Sequence, residues 1–362
     1  MTIRRAGAIL FRAATAVVGC LGFMASGCKT VSPGVGSESL RKEAYWTLKS
    51  ALAYKVNPVV RAEAVEGLEA HDSPEGRAWI RTALQDEHPG VRFAACVAVG
   101  MLRDERAIHE VEKLAEDGNA SVQVGALFAL HQLDRKGNTG KLPTFVLTHS
   151  DPVVRRNAAL VMGRMGESSA VVILAKAMKD LDEGVRHHAL EAMAKLGNRE
   201  AQQELAFMTS SGVGSEEVFA INALAALRDP QYIDTFRYKL ETAIHLETQL
   251  AAARGLGMLG IEDGLPIARK ALQIKNPPRD DPKDPPEEQL FRIRLLAIGA
   301  LGAMGNSQAL SAVSAEWKNG TDPRIQVAAA AAILDMHDRP KHDATQGHLK
   351  LPGTNSQRTA PR

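Results

Sequence analysis

The chain has 362 residues, is 45% hydrophobic but only 4% aromatic, and sets 44 Lys and Arg against 42 Asp and Glu for a net charge of +2. That balance leaves no basic stripe of the kind a nucleic-acid channel needs, so no nucleic-acid partner is expected. The three cysteines, Cys20, Cys28 and Cys96, form neither a disulfide framework nor a zinc spacing.

At the N-terminus Arg4, Arg5 and Arg12 precede an apolar stretch, Ala13 to Ala25, which ends in Ser26-Gly27-Cys28 and then turns polar. A basic start, a short apolar segment and small residues at a cut site predict a secretory signal peptide over residues 1–27. A spanning helix would need about 20 apolar residues. The small residues directly before Cys28 resemble a bacterial lipobox, which implies lipidation of Cys28 as the first residue of the mature chain. Ala25 departs from the usual Leu of that motif. Val17-Val18-Gly19-Cys20 fits its letters more closely, but a cut there would leave apolar Leu21 to Ala25 on the mature end. Residues 28–38 read as a flexible Gly/Ser/Pro linker that would tether the rest to a membrane of the cell envelope.

From residue 39 to 336 one pattern recurs. Its clearest copies are Pro89-Gly90-Val91-Arg92-x-x-Ala95, Pro152-Val153-Val154-Arg155-x-x-Ala158 and Gly184-Val185-Arg186-x-x-Ala189. The register, read as Arg or its substitute with Ala three residues on, runs Arg61, Arg92, Gln123, Arg155, Arg186, Ala220, Gln249, Arg294 and Gln326. Successive spacings are 31, 31, 32, 31, 34, 29, 45 and 32 residues. Self-similarity at this period predicts an all-α fold, an α-solenoid of about nine helical hairpins. Arg106 to Glu116 exemplifies the first helix of a unit and Val91 to Leu102 the second, by apolar spacing. Gly166, Gly197, Gly260 and Gly305 stand where a left-handed C-cap ends a second helix. One hairpin cannot bury both faces, so the units must stack and the end units need polar caps. At roughly 8 to 10 Å per helix layer, nine pairs predict a curved rod about 80 to 90 Å long.

The stretched spacing of 45 contains residues 275–289, whose five prolines and alternating charge predict an extended solvated loop, a docking arm or a tolerated insertion. The segment 337–362 is poor in apolar residues and reads as a disordered tail with weak attraction for anionic lipid.

The recurrent Pro-x-Val-Arg-x-x-Ala core with its Leu-Gly helix end resembles HEAT repeats, in particular the short units first associated with phycobilisome lyases. The resemblance implies a ladder through the inter-helix turns, with an Asp six residues before the Arg. Asp86, Asp117 and Asp180 occupy that place, whereas Lys55 and His149 interrupt it. Arg61, Arg92, Arg155, Arg186 and Arg294 are accordingly expected to be structural rungs. The resemblance also implies that the helix beginning Val-Arg lines a concave side.

No phosphate-cradling loop, zincin helix or nucleophile elbow is present, so no catalytic residue, metal site or cofactor is expected. Cys96 reads as a small buried hydrophobe. The most chemical-looking cluster is His187, His188, Glu191 and Lys195, which Arg156 and Asn157 one unit earlier would extend. It is a candidate ligand or partner contact, set against a solvated, salt-linked helix face. The expected function is a lipid-anchored, exported scaffold that binds a protein partner in a bacterial cell envelope. The alternatives are a phycobilin-lyase-like chromophore or ligand handler and a purely architectural spacer.

Overall fold

The computed structural model describes residues 38–134, 139–277 and 284–338. The predicted leader, Cys28, the linker up to residue 37 and the segment from residue 339 lie outside the described residues. Within the described residues every regular element is helical, and the helices fall into nine antiparallel pairs. Units 1 to 3 are α1 (Glu38–Ala51) with α2 (Pro58–Ala70), α3 (Pro74–Ala83) with α4 (Pro89–Leu102), and α5 (Ile108–Leu114) with α6 (Ala120–Gln132). Units 4 to 6 are α7 (Leu142–Thr148) with α8 (Pro152–Met165), α9 (Val171–Ala177) with α10 (Glu183–Lys195), and α11 (Arg199–Met208) with α12 (Gly214–Ala226). Units 7 to 9 are α13 (Ile233–Thr242) with α14 (Leu246–Met258), α15 (Leu265–Leu272) with α16 (Pro286–Met304), and α17 (Ser307–Asn319) with α18 (Pro323–Asp338).

Local chemistry sets these boundaries. Pro58, Pro89 and Pro152 each open a second helix, where a missing N–H leaves no helical bond unmade. Asn57, Asn119, Asp151 and Asp182 cap the same ends by accepting bonds from the first-turn N–H groups. Gly166, Gly197, Gly260 and Gly305 all have φ between 70° and 82°, the left-handed stop expected of them. Arg103, Asp134 and Arg228 make the same stop without glycine, at φ of 49°, 54° and 53°.

Two features of the register differ from expectation. Helix α12 places Glu217 at its fourth residue, where α10 has Arg186 and α14 has Gln249. The true spacings are therefore 31 and 32, and the irregular 34 and 29 vanish. Glu217, an acid, takes the place of Arg or Gln in unit 6, and Ala220 stands one turn beyond it. The predicted loop is also shorter than residues 275–289, because Pro286 starts α16, a helix of 19 residues. Its extra turns are built into the stack: Gln289 is buried, and Glu288 lies 3.9 Å from Arg324 of α18.

The nine second helices form a continuous inner layer, each packed on the next, and the layer does not end. Helix α18 packs against both α1 and α2, so unit 9 closes on unit 1. The expected curved rod with polar end caps is thus a ring, in which the ends cap one another. Nine layers spaced by roughly 9 Å give an inner circumference of about 80 Å, the length that the rod would have had. The seam buries Leu48, Val60 and Leu68 from one end with Ile325, Val327 and Ile333 from the other in a single apolar cluster. Gly67 permits the approach: a Cβ there would lie 3.0 Å from Leu48 Cδ1 and 3.5 Å from Ala331 Cβ. Helix α18 runs to Asp338, two residues beyond the expected end of the repeats, and that residue fastens the seam. Arg41 Nε and His71 Nδ1 each lie 2.9 Å from its carboxylate. Asp335 adds a contact to His71 Nε2 at 3.4 Å.

Candidate functional site

The ring has two rims. One carries the turns within units, the other the turns between units, and Glu38 and Asp338 both lie on the second. The rungs run along the first. Arg61 donates from Nε and Nη2 to the two oxygens of Asp86, both at 2.8 Å, and from Nη1 to the carbonyl of Tyr54. Arg92 repeats this on Asp117 at 3.1 and 3.0 Å, and Arg155 on Asp180 at 2.7 and 2.8 Å. Each Arg therefore clamps the turn of the next unit while its Nη1 holds the turn of its own, as a planar five-donor fork can.

Where Gln stands in the Arg position, it keeps only the backward bond. Gln123, Gln249 and Gln326 donate to the carbonyls of Asp117, Ala243 and Gly320 at 2.7, 3.1 and 2.8 Å. Arg186 likewise bonds back to the Asp180 and Leu181 carbonyls. Arg294 stands apart, with Glu316 as its anion at 3.7 Å. Unit 6 inverts the rung: Glu217 accepts from Lys239 Nζ at 3.1 Å and from the Gly212 N–H at 3.4 Å, with both side chains buried. The fork from Arg155 holds the Asp180 carboxyl below its usual range, against the effect of burial. Burial would raise Asp86, but Arg61 and the His88 N–H hold it low as well.

The concave side implied by the HEAT resemblance is the lumen of the ring. Each second helix turns one face toward it. The lining is uneven. Five residues after the rung position, units 2 to 4 carry apolar Val97, Phe128 and Leu160, whereas the adjoining units 5 to 7 carry polar Glu191, Asn222 and Arg254. Lys195 Nζ donates to Glu191 Oε1 at 2.5 Å. Glu191 is buried, and although burial would raise its carboxyl, the ammonium of Lys195 keeps it below the ordinary range. Arg254 donates to Asn222 Oδ1 at 2.9 Å. Arg164 reaches across to Glu69 at 4.0 Å, joining α8 to α2, helices that α4 and α6 separate in the ring. Burial pushes the Glu69 carboxyl up, with Arg164 opposing.

The six residues singled out as a candidate contact are only partly brought together. Glu191 and Lys195 form the pair just described, on a buried rather than a solvated face. His188 Nδ1 lies 2.7 Å from the Gly184 carbonyl, and burial lowers its pKa. Arg156 covers the same turn, since a Cβ on Gly184 would meet its Cδ at 2.7 Å. Asn157 turns away and donates to Ser121 Oγ at 3.0 Å. His187 stacks on Phe219 of the next unit, with ring centres 4.2 Å apart, and burial lowers its pKa too. Cys96 is fully buried, which raises its thiol pKa. Glu69, Arg164, Asn222 and Arg254 escaped the sequence reading because nothing in one unit signals which residues meet across a closed lumen. A cleft of about 220 Å3 also opens on the between-unit rim, lined by Leu142, Pro143, Met162, Met165 and Ile173 beside His131 and Glu167.

The chain is similar to several known proteins. A family model for HEAT repeats matches residues 39–131 and 143–213. A HEAT repeat-containing taxis protein of Halobacterium salinarum is 32% identical over 149 residues, which are 41% of this chain and 33% of the relative. The chain thus spans about a third of that relative's length. Among solved structures, human deoxyhypusine hydroxylase is similar at 18% identity and a TM-score of 0.37, over 83% of this chain and 97% of its own. The phycocyanin lyase complex of Nostoc is similar at 21% identity and a TM-score of 0.33, over 71% of this chain and 94% of its own.

Proposed function

We propose that this chain is a lipid-anchored, exported scaffold of a bacterial cell envelope, which holds a protein partner on the rim of its within-unit turns. HEAT repeats as interaction surfaces support the general reading. The lipobox-like Ser26-Gly27-Cys28 and the basic, then apolar, leader support the anchor. One observation carries the choice of rim: Leu181 and Ile244, in the within-unit turns of units 5 and 7, are 98% and 94% exposed. Isolated exposed apolar residues are ordinary, but two that recur at one register position beside Val213 and Phe207 are the mark of a contact surface. The anchor would leave from Glu38 on the opposite rim, so this surface would face away from the membrane.

Crosslinking of intact envelopes followed by mass spectrometry tests both halves of the proposal. The expected result is an acylated Cys28 at the mature N-terminus and a protein neighbour joined through units 5 to 7. A Cys28→Ser variant should leave the membrane fraction, and Leu181→Asp with Ile244→Asp should lose the neighbour without lowering the melting temperature. Retention of the neighbour by that double variant would remove the rim from the proposal, and an unmodified Cys28 would remove the anchor.

A further inference from the structure

The charge of the chain is divided in a way that its total conceals. Residues 1–37 carry +4, from Arg4, Arg5, Arg12 and Lys29, and residues 339–362 carry +4, with Arg339, Lys341, Lys350, Arg358 and Arg362 against Asp343. The total is +2, so residues 38–338 hold −6. Part of that negative charge lies on the within-unit rim. In units 5 to 7 Asp182, Glu183 and Glu216 stand there outside the Arg–Asp rungs, among the exposed Leu181, Val213 and Ile244. The rim of units 5 to 7 is thus an apolar strip in an acidic setting, and its complement is a basic segment that carries one or two large apolar side chains.

The chain contains such a segment. Around His348-Leu349-Lys350-Leu351 the C-terminal 24 residues place two leucines two positions apart, with a lysine between them. We propose that this C-terminal segment docks on the within-unit rim of its own ring, with Leu349 and Leu351 against the strip formed by Leu181, Val213 and Ile244. The reach suffices. Helix α18 ends at Asp338 on the between-unit rim of unit 9. Ile244 lies two units back and one helix length away, which is about 20 Å along the stack and about 20 Å across it. Leu349 and Leu351 lie 11 and 13 residues beyond Asp338, an extended reach of about 35 to 45 Å. The contact covers the surface on which we place the partner, so the segment competes with the partner for that rim. In this it rests on the proposed function.

The docking is tested on the purified full-length chain without any partner, which keeps its outcome separate from that of the envelope experiment. A photoreactive benzoylphenylalanine is placed at Leu181 or at Ile244, and the crosslinked peptides are sequenced. The expected result is crosslinks to residues 339–362, with yield falling about tenfold in a K341E/K350E/R358E variant as three attractions become repulsions. An equal mixture of isotopically heavy and light chains should give crosslinks within one copy. Crosslinks to residues 1–37, to the ring of a second copy or between heavy and light chains would overturn the proposal, as would a yield that the charge reversals leave unchanged.

Discussion

Units 1 to 5 and units 6 to 8 are built from the same helix pairs but joined differently. In the first group Arg61, Arg92 and Arg155 each clamp a turn Asp of the next unit with two charged bonds, while Gln123 and Arg186 bond only back to their own turns. In the second, Glu217 and Lys239 reverse the charges, Gln249 keeps a single bond, and Arg294 turns to Glu316. The inner layer continues through both, carried by small residues at the helix contacts. A Cβ on Gly163 would meet Ala192 Cβ at 2.6 Å, and one on Gly257 would meet the Met304 backbone nitrogen at 3.0 Å. The Arg–Asp rung therefore makes the repeat recognisable, while close helix packing makes it stack. The family match, over residues 39–131 and 143–213, includes all three Arg–Asp rungs.

The largest effect that separates the two regions is expected at the inverted rung. Lys239→Met should cost about 3 kcal/mol, because it strands a buried carboxylate with only the Gly212 N–H as donor. Joining it to Glu217→Leu should recover most of that loss, to within about 1 kcal/mol of the parent in chemical denaturation. A double variant as weak as the single one would mean that packing, not charge, decides that site.

Next comes the ladder, where Asp180→Ala should cost about 1 to 2 kcal/mol, since Arg155 is partly exposed and retains the His149 carbonyl. Acid should act on the same bonds. Asp86, Asp180, Asp322 and Asp338 all have lowered pKa values in the folded chain. Their contribution is fully present above the ordinary carboxylate pKa of about 4 and is lost as pH falls below it. Hydrogen exchange below that pH should therefore loosen units 1 to 5 and the seam at α18 before units 6 to 8; uniform loosening would deny the distinction. The smallest effect is expected at the exposed pair Arg237–Asp263, where Arg237→Ala should change stability by less than about 0.5 kcal/mol.

Much of the second-helix series was legible because its signals are local. Proline at the first turn, Asn or Asp before it and glycine after the last turn act within a few residues, and all recur at the register positions. The inverted rung was illegible because Glu217 and Lys239 carry the function of Arg and Asp with neither residue type. The candidate cluster was half legible: Glu191 and Lys195 lie one turn apart on one helix, whereas the link from Arg164 to Glu69 spans three units.

The amino-acid sequence by itself determined nine amphipathic hairpins and their order, since helix period, caps and turns are properties of neighbouring residues. Only the tertiary structure decided that they form a ring. Closure of nine units requires about 40° of rotation at each step, and a few degrees less at every junction would leave an open arc. Those angles arise from the summed packing of many small side chains, and no single residue announces them. The bonds of Arg41 and His71 to Asp338, made between chain positions 297 and 267 apart, exist because that sum closes.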